Sequence, residues 1–252
     1  MVKESEIIIK ENGKEIYAKL YMPKEEGTYP VIILSHGYNG CNADFIRECN
    51  YYADNGYIVC AYDFCGGSTR SKSRGNSTDM TIFTEKEDLL TVFNCIKKMD
   101  NVDKKNIFLF GASQGGLVTA LTAEALKDEL KGMALYFPAF NIPDDWRRKY
   151  DSTENIPDII DFWGLKLGKN FAVSIREFNT YDNIGTLDKN VLIIHGDKDN
   201  IVSMNTVTNA QKHYKNARLV VLEGEGHGFS EQGAKTAMEL VLDYMNTNRK
   251  DI

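Results

Sequence analysis

No stretch of 18 consecutive apolar residues occurs in this 252-residue sequence, which excludes a helix long enough to cross a bilayer. The first residues, Met1-Val-Lys-Glu-Ser-Glu, lack the basic start and apolar core of a signal peptide. The expected location is therefore cytoplasmic, with no membrane as partner. Basic charge is also short: 30 Lys and Arg stand against 36 Asp and Glu, a formal net charge of −6, which argues against nucleic acid as a partner. Cysteine is sparse and odd in number. Its five positions (Cys41, Cys49, Cys60, Cys65 and Cys95) all lie in the first half, and none forms a Cys-x-x-Cys pair. Neither a zinc site nor a disulfide framework is signalled, and free, mostly buried thiols are expected. Histidine is limited to four positions, which narrows the choice of a catalytic base.

Apolar material is nevertheless ample. Hydrophobic residues at 42% and aromatics at 11% supply a sizeable core and argue against disorder, and the length suits one α/β domain carrying an insertion. Glu6–Lys10 and Glu15–Met22 flank an Asn12-Gly13 turn and predict an antiparallel hairpin. Continuously apolar runs at Pro30–Ser35 and Tyr57–Tyr62 predict strands buried on both faces, and Ile107–Phe110, Gly132–Phe137, Asn190–His195 and Ala217–Leu222 predict further strands. Helical spacing over Asp44–Asn55, Thr84–Met99, Leu117–Leu126 and Gln232–Met245 places helices between them. The expectation is a mostly parallel eight-stranded sheet with helices on both faces and its active crevice at the carboxyl ends of the strands. Ser68 to Thr78 is expected to be exposed loop. Residues 141–189 are too long for an ordinary crossover and are expected to form an inserted lid. Its large apolar residues, among them Trp146, Phe162, Trp163 and Phe171, either line a pocket or form the insert's own small core.

The chemistry-bearing stretch is Gly111-Ala112-Ser113-Gln114-Gly115, between an apolar strand and a helix. Its flanking glycines permit a turn too tight for side chains, and the turn holds Ser113 beside the unpaired N–H groups of a helix N-terminus. Such a serine needs an imidazole to take its proton and a carboxylate to orient that imidazole. His36 and His195 end strands, and His213 sits on a polar helix face; structural roles explain these three. His227, in Gly224-Glu-Gly-His-Gly-Phe229, follows the last strand between glycines and is the expected base. Two carboxylates, Asp197 and Asp199, follow the seventh strand. The backbone N–H of Gln114, next to the nucleophile, is one expected oxyanion donor.

Gly196, Asp199 and Val202 resemble the Gly-x-x-Asp-x-x-Val acid motif of the α/β-hydrolases, and the order Ser113, Asp199, His227 is that superfamily's order. The resemblance implies an α/β-hydrolase fold, Asp199 rather than Asp197 as the acid, and the backbone N–H of Tyr38 in His36-Gly37-Tyr38 as the second oxyanion donor. Within the superfamily, the Gly-Ala-Ser-Gln-Gly-Gly elbow and the placement of the insert resemble bacterial cinnamoyl and feruloyl esterases. That resemblance implies an aromatic-acid pocket in the insert, with Trp163 lining it and Asp145 facing a ring hydroxyl. Phe171 stands where a tyrosine would contact that hydroxyl, a departure from the family pattern. The function implied is a serine carboxylic ester hydrolase working through an acyl-enzyme on small aryl or acyl esters, without metal or organic cofactor. The same residues suit a serine peptidase for short peptides, and the fold also suits a non-catalytic ligand receptor. A homodimer is compatible with the sequence.

Overall fold

The computed structural model describes residues 2–249. β1 (Lys3–Glu11) and β2 (Lys14–Met22) form an antiparallel hairpin that turns through Asn12 and Gly13, at φ of +52° and +79°. Two successive positive φ values define the two-residue turn whose twist matches paired strands. β3 (Tyr29–Ser35) is followed by a 3-10 turn at Asn42–Phe45, α1 (Ile46–Asp54), β4 (Ile58–Tyr62), α2 (Ile82–Lys97), β5 (Val102–Ala112), α3 (Gln114–Ala125) and β6 (Gly132–Tyr136). The insert supplies α4 (Ile142–Lys149), the short strands β7 (Ile159–Phe162) and β8 (Leu165–Gly168), α5 (Lys169–Arg176) and a 3-10 turn at Tyr181–Asn183. β9 (Asn190–Gly196), α6 (Met204–His213), β10 (Ala217–Leu222) and α7 (Glu231–Asn248) complete the chain.

The main sheet has eight strands in the order β1-β2-β4-β3-β5-β6-β9-β10. β1 and β2 are antiparallel at one edge, and β4, β3, β5, β6, β9 and β10 run parallel. Because strand side chains alternate, β3 feeds both faces. Val31 and Ile33 join Leu89, Val92, Leu117, Val118 and Val207 on the side of α2, α3 and α6. Ile32 and Leu34 join Cys49, Tyr52, Val241 and Met245 on the side of α1 and α7. This two-sided burial explains the unbroken apolar runs of the central strands.

Two parts of the chain depart from expectation. The insert's apolar residues do not form a core of their own: Trp146, Ile160, Leu165, Leu167, Phe171 and Ile175 are buried in the same cluster as Val31 and Ile33. The stretch expected as exposed loop is partly buried, since Ser73 accepts the Tyr17 N–H at 2.8 Å and donates to the Asp63 carbonyl at 2.5 Å. Polar composition there serves buried backbone groups rather than solvent. All five cysteines are free, with Cys41, Cys49 and Cys60 buried.

Candidate active site

The connection between β5 and α3 is a strained turn. Ser113 has φ +52° and ψ −120°, backbone that a side chain adopts only when its surroundings hold it there. The clamps are hydrogen bonds from Ser113 N–H to the Tyr136 carbonyl at 3.0 Å and from Ala139 N–H to the Ser113 carbonyl at 2.9 Å. Glycine is required on both sides. A Cβ at Gly111 would lie 2.3 Å from the Gly115 carbonyl oxygen, and one at Gly115 would lie 2.3 Å from that of His36.

Three side chains from three loops meet at this turn. Ser113 Oγ is 2.9 Å from His227 Nε2, and His227 Nδ1 is 2.9 Å from Asp199 Oδ2. Asp199 is held by the Ile201 and Val202 N–H groups, each donating to its Oδ1 at 2.8 Å, and its side chain is fully buried. Asp197 faces elsewhere. It accepts the Gly224 N–H at 2.6 Å, tying the acid loop to the histidine loop, and this bond holds its carboxyl below the ordinary aspartate value. The remaining histidines are outside the line. His36 Nε2 accepts the Phe64 N–H at 3.1 Å, and burial lowers the imidazole's pKa. His195 is buried 3.8 Å from Asp199, and burial pushes its imidazole below the ordinary value against the carboxylate's pull. His213 Nδ1 lies 2.8 Å from the Asn209 carbonyl, on α6.

Arranged in this way, His227 can take a proton from Ser113 while Asp199 fixes its Nδ1–H tautomer. Two backbone donors flank the serine. The loop carrying Tyr38 packs so closely that a Cβ on Gly37 would lie 3.2 Å from Ser113 Cβ. Among the described residues, neither Tyr38 N–H nor Gln114 N–H has an acceptor. Gln114 is the first residue of α3, where N–H groups lack intrahelical partners.

A cleft opens over Ser113 and is lined by Tyr38, Gln114, Asn141, Asp145, Trp146 and Phe162, together with Trp163, Phe171 and Ile201. Asp145, Trp163 and Phe171 thus share one cavity with Ser113. Phe171 is buried, whereas Trp163 is 65% exposed at the tip of the β7–β8 hairpin, with φ +46°. Tyr38 OH donates to the Phe162 carbonyl at 2.6 Å, tying that hairpin to the loop beside the serine, and burial pushes the phenol's pKa up. Asp145 is already engaged: Oδ2 accepts from Asn141 Nδ2 at 2.7 Å and Oδ1 from Arg148. Burial pushes its carboxyl above the ordinary value even so.

Sequence reasoning missed three residues here. Phe137, at φ +34°, packs its ring 4.7 Å from that of His227, and nothing in its sequence context marks it. Asn141 lines the cleft with a buried Oδ1 that has no partner among the described residues. Glu85 is a buried carboxyl bonded to Gln114, and nothing in the sequence distinguishes it from Glu87 and Asp88 on the same helix. Among the described residues no group of three or more His, Cys, Asp or Glu side chains is placed to hold a metal ion, and no helix is long and apolar enough to cross a membrane.

A parallel sheet with an antiparallel edge and a serine on a strained strand-to-helix turn defines an α/β-hydrolase. The chain belongs to the prolyl oligopeptidase family, whose model matches residues 43–250. It is similar to Est1E from Butyrivibrio proteoclasticus, solved with ferulic acid bound, with a TM-score of 0.88 and 30% identity, covering 96% of this chain and 98% of that one. The caffeoylshikimate esterase of Arabidopsis thaliana is 29% identical over 138 residues, which is 54% of this chain and 41% of that enzyme. The uncharacterized peptidase YtmA of Bacillus subtilis is 24% identical over 194 residues, 77% of this chain and 72% of that protein.

Proposed function

We propose that this α/β-hydrolase is a serine esterase that cleaves small aryl-acyl esters, hydroxycinnamoyl esters among them, through an acyl-enzyme. The observation that carries the reading is the hydrogen-bonded line Ser113–His227–Asp199 opening into an aromatic cleft. Ser113 Oγ attacks the ester carbonyl as His227 Nε2 takes its proton. The N–H groups of Tyr38 and Gln114 receive the developing oxyanion, and His227 returns the proton to the leaving alcohol. Water then repeats the sequence on the acyl-enzyme and releases the acid. Residues 141–189 act as a cap whose aromatic side chains hold a planar acyl group.

The hydroxyl of such an acyl group has a specific acceptor. Asn141 Nδ2 donates to Asp145 Oδ2 at 2.7 Å and to the Ile201 carbonyl at 3.2 Å. Both partners only accept, so the amide's orientation is fixed and its Oδ1 is left without a donor. A ring hydroxyl supplies one. In this reading Asp145 orients Asn141 rather than taking the hydroxyl alone, and Phe171 contributes a ring face. Similarity to a structure holding ferulic acid supports this substrate class.

Membership in a peptidase family favours a second reading, cleavage of short peptides by the same residues. Rates on p-nitrophenyl butyrate, methyl p-coumarate, methyl cinnamate and aminoacyl anilides separate the two. Esterase function predicts turnover of the first three and little of the anilides. Preferential anilide cleavage would reverse the assignment.

A further inference from the structure

Beneath the serine turn lies a carboxyl group that the mechanism above does not use. Glu85, in the first turn of α2, is 1% exposed, and its Oε2 accepts from Gln114 Nε2 at 2.9 Å. Gln114 is itself 3% exposed, and this is its one side-chain hydrogen bond among the described residues. Loop packing encloses the pair, since a Cβ on Gly67 would lie 3.2 Å from Glu85 Oε1.

The groups that face Glu85 cannot neutralise a charge on it. They are Asp88, one turn along α2, the phenols of Tyr38 and Tyr62, and the Gln114 amide. Lys14 is the cation nearby, and it is held by Asp88 at 2.5 Å. Asp88 takes a further donor, the Cys65 N–H at 2.8 Å. α2 thus carries two buried carboxyls one turn apart, one paired with a cation and one not. A buried carboxylate with a single neutral donor and a second carboxylate close by is expensive, and the group relieves that cost by keeping its proton. Burial accordingly raises the Glu85 pKa well above its ordinary 4.5.

We infer that Glu85 is a positioning residue for the oxyanion hole, acting as an uncharged acid that tethers the Gln114 side chain and so fixes the aim of the Gln114 N–H. The inference rests on the acyl-transfer reading above. Gln114 follows the strained Ser113 and has no intrahelical acceptor for its N–H, so a side-chain tether restricts rotation of the peptide that bears the donor. An uncharged tether is also required electrostatically. A carboxylate just behind the oxyanion would oppose the charge that the hole exists to receive.

Two variants and two readouts test this. Glu85→Gln keeps the acceptor and the shape without the ionisable group, whereas Glu85→Leu keeps approximate volume and removes the acceptor. On p-nitrophenyl butyrate, Glu85→Gln should hold kcat within about threefold of wild type. Glu85→Leu should lose about 10- to 100-fold in kcat with KM changed little, less than the loss for deleting a donor outright. Because the folded pKa is raised, the wild type's stability is greatest below the unfolded value near 4.5 and falls as pH rises toward the folded value. The Tm advantage of Glu85→Gln over wild type should therefore widen from pH 5 to pH 8. Should Glu85→Leu not fold, Gln114→Leu removes the same bond from the other side and should reproduce the kcat loss. An equal kcat loss in Glu85→Gln, or a Tm difference that shrinks as pH rises, would overturn the inference. Wild-type activity on the ester tests the acyl-transfer reading separately, and the Tm comparison decides the charge on Glu85 whatever the substrate.

Discussion

Replacing Asp199 with asparagine tests the proposed proton path, because the surroundings dictate how the new amide must sit. Asp199 Oδ1 accepts two backbone N–H groups, from Ile201 and Val202, each at 2.8 Å. An NH2 group in that place would face two donors, so the amide oxygen must take it. The NH2 is then left opposite His227 Nδ1, at the 2.9 Å position of Oδ2. His227 has to accept there, which moves its proton to Nε2. That nitrogen is the one 2.9 Å from Ser113 Oγ, and an Nε2–H cannot take the serine proton. Side-chain volume is unchanged and both backbone bonds survive, so folding should be retained. A tautomer trap of this kind costs about 10⁴ in kcat, or about 5.4 kcal/mol at 1.36 kcal/mol per decade. Asp197→Asn is the control. Its oxygen still accepts the Gly224 N–H, and it does not face His227, so kcat should change only a few-fold. Steady-state kinetics on p-nitrophenyl butyrate at neutral pH, with far-UV circular dichroism to verify folding, separate the two. Equal losses, or a larger loss at Asp197, would refute the reasoning.

Ser113→Ala should abolish labelling by a fluorophosphonate probe and lower kcat by about 10³-fold or more; labelling of the wild type at another serine, mapped by peptide mass, would remove Ser113 from its role. Asn141→Ala should lower kcat/KM for methyl p-coumarate relative to methyl cinnamate by roughly 5- to 100-fold, the equivalent of about 1–3 kcal/mol for an unpaired hydroxyl. Its activity on p-nitrophenyl butyrate should stay near wild type, and an unchanged ratio between the two methyl esters would retire the hydroxyl reading. Trp163→Gly should act with opposite signs on stability and binding. Glycine relieves the strain of φ +46° and raises Tm, while loss of the ring at the cleft mouth raises KM for aryl esters; a lowered Tm would show that the indole holds the hairpin in place.

The sheet was legible because its signals are local and mutually consistent. Asn12-Gly13 marks a hairpin through backbone chirality alone, and apolar runs such as Val31–Leu34 mark strands buried on both faces. The positions of Ser113, Asp199 and His227 were legible because each lies in the loop after a strand, and glycines there, such as Gly111 and Gly115, have no room for a Cβ. The insert was not. Its strands β7 and β8 are four residues each, too short to show a period. Its buried residues find their partners on elements distant in sequence, as Leu167 and Phe171 do in joining the cluster that holds Val31 and Ile33. Glu85 was hidden for a similar reason, since its partner Gln114 lies on the next helix.

Backbone strain ties these observations together. Among the described residues, five other than glycine have positive φ: Asn12, Asn39, Ser113, Phe137 and Trp163. Asn12 belongs to the hairpin, but the other four border the cleft or its supports. Asn39 follows Tyr38, Phe137 packs on His227, and Trp163 stands at the cleft mouth. Each such residue costs on the order of 1–3 kcal/mol and persists only where its surroundings over-determine it. The determinants are long-range here. Ser113 N–H donates to Tyr136, Phe137 N–H to Ile194 at 2.8 Å, and Ala139 N–H to Ser113, so β5, β6 and β9 jointly hold Ser113 and the ring behind His227. At Phe137 and Trp163 strain of this type leaves no compositional trace, because phenylalanine and tryptophan are ordinary residues until their neighbours force the angle; at Ser113 only the flanking glycines betray it. It also explains how the line from Asp199 to Ser113 stays aligned though its three members come from separate loops. The parallel sheet brings the loop ends together, and the hydrogen bonds between its strands hold the strained turns at a fixed distance from one another.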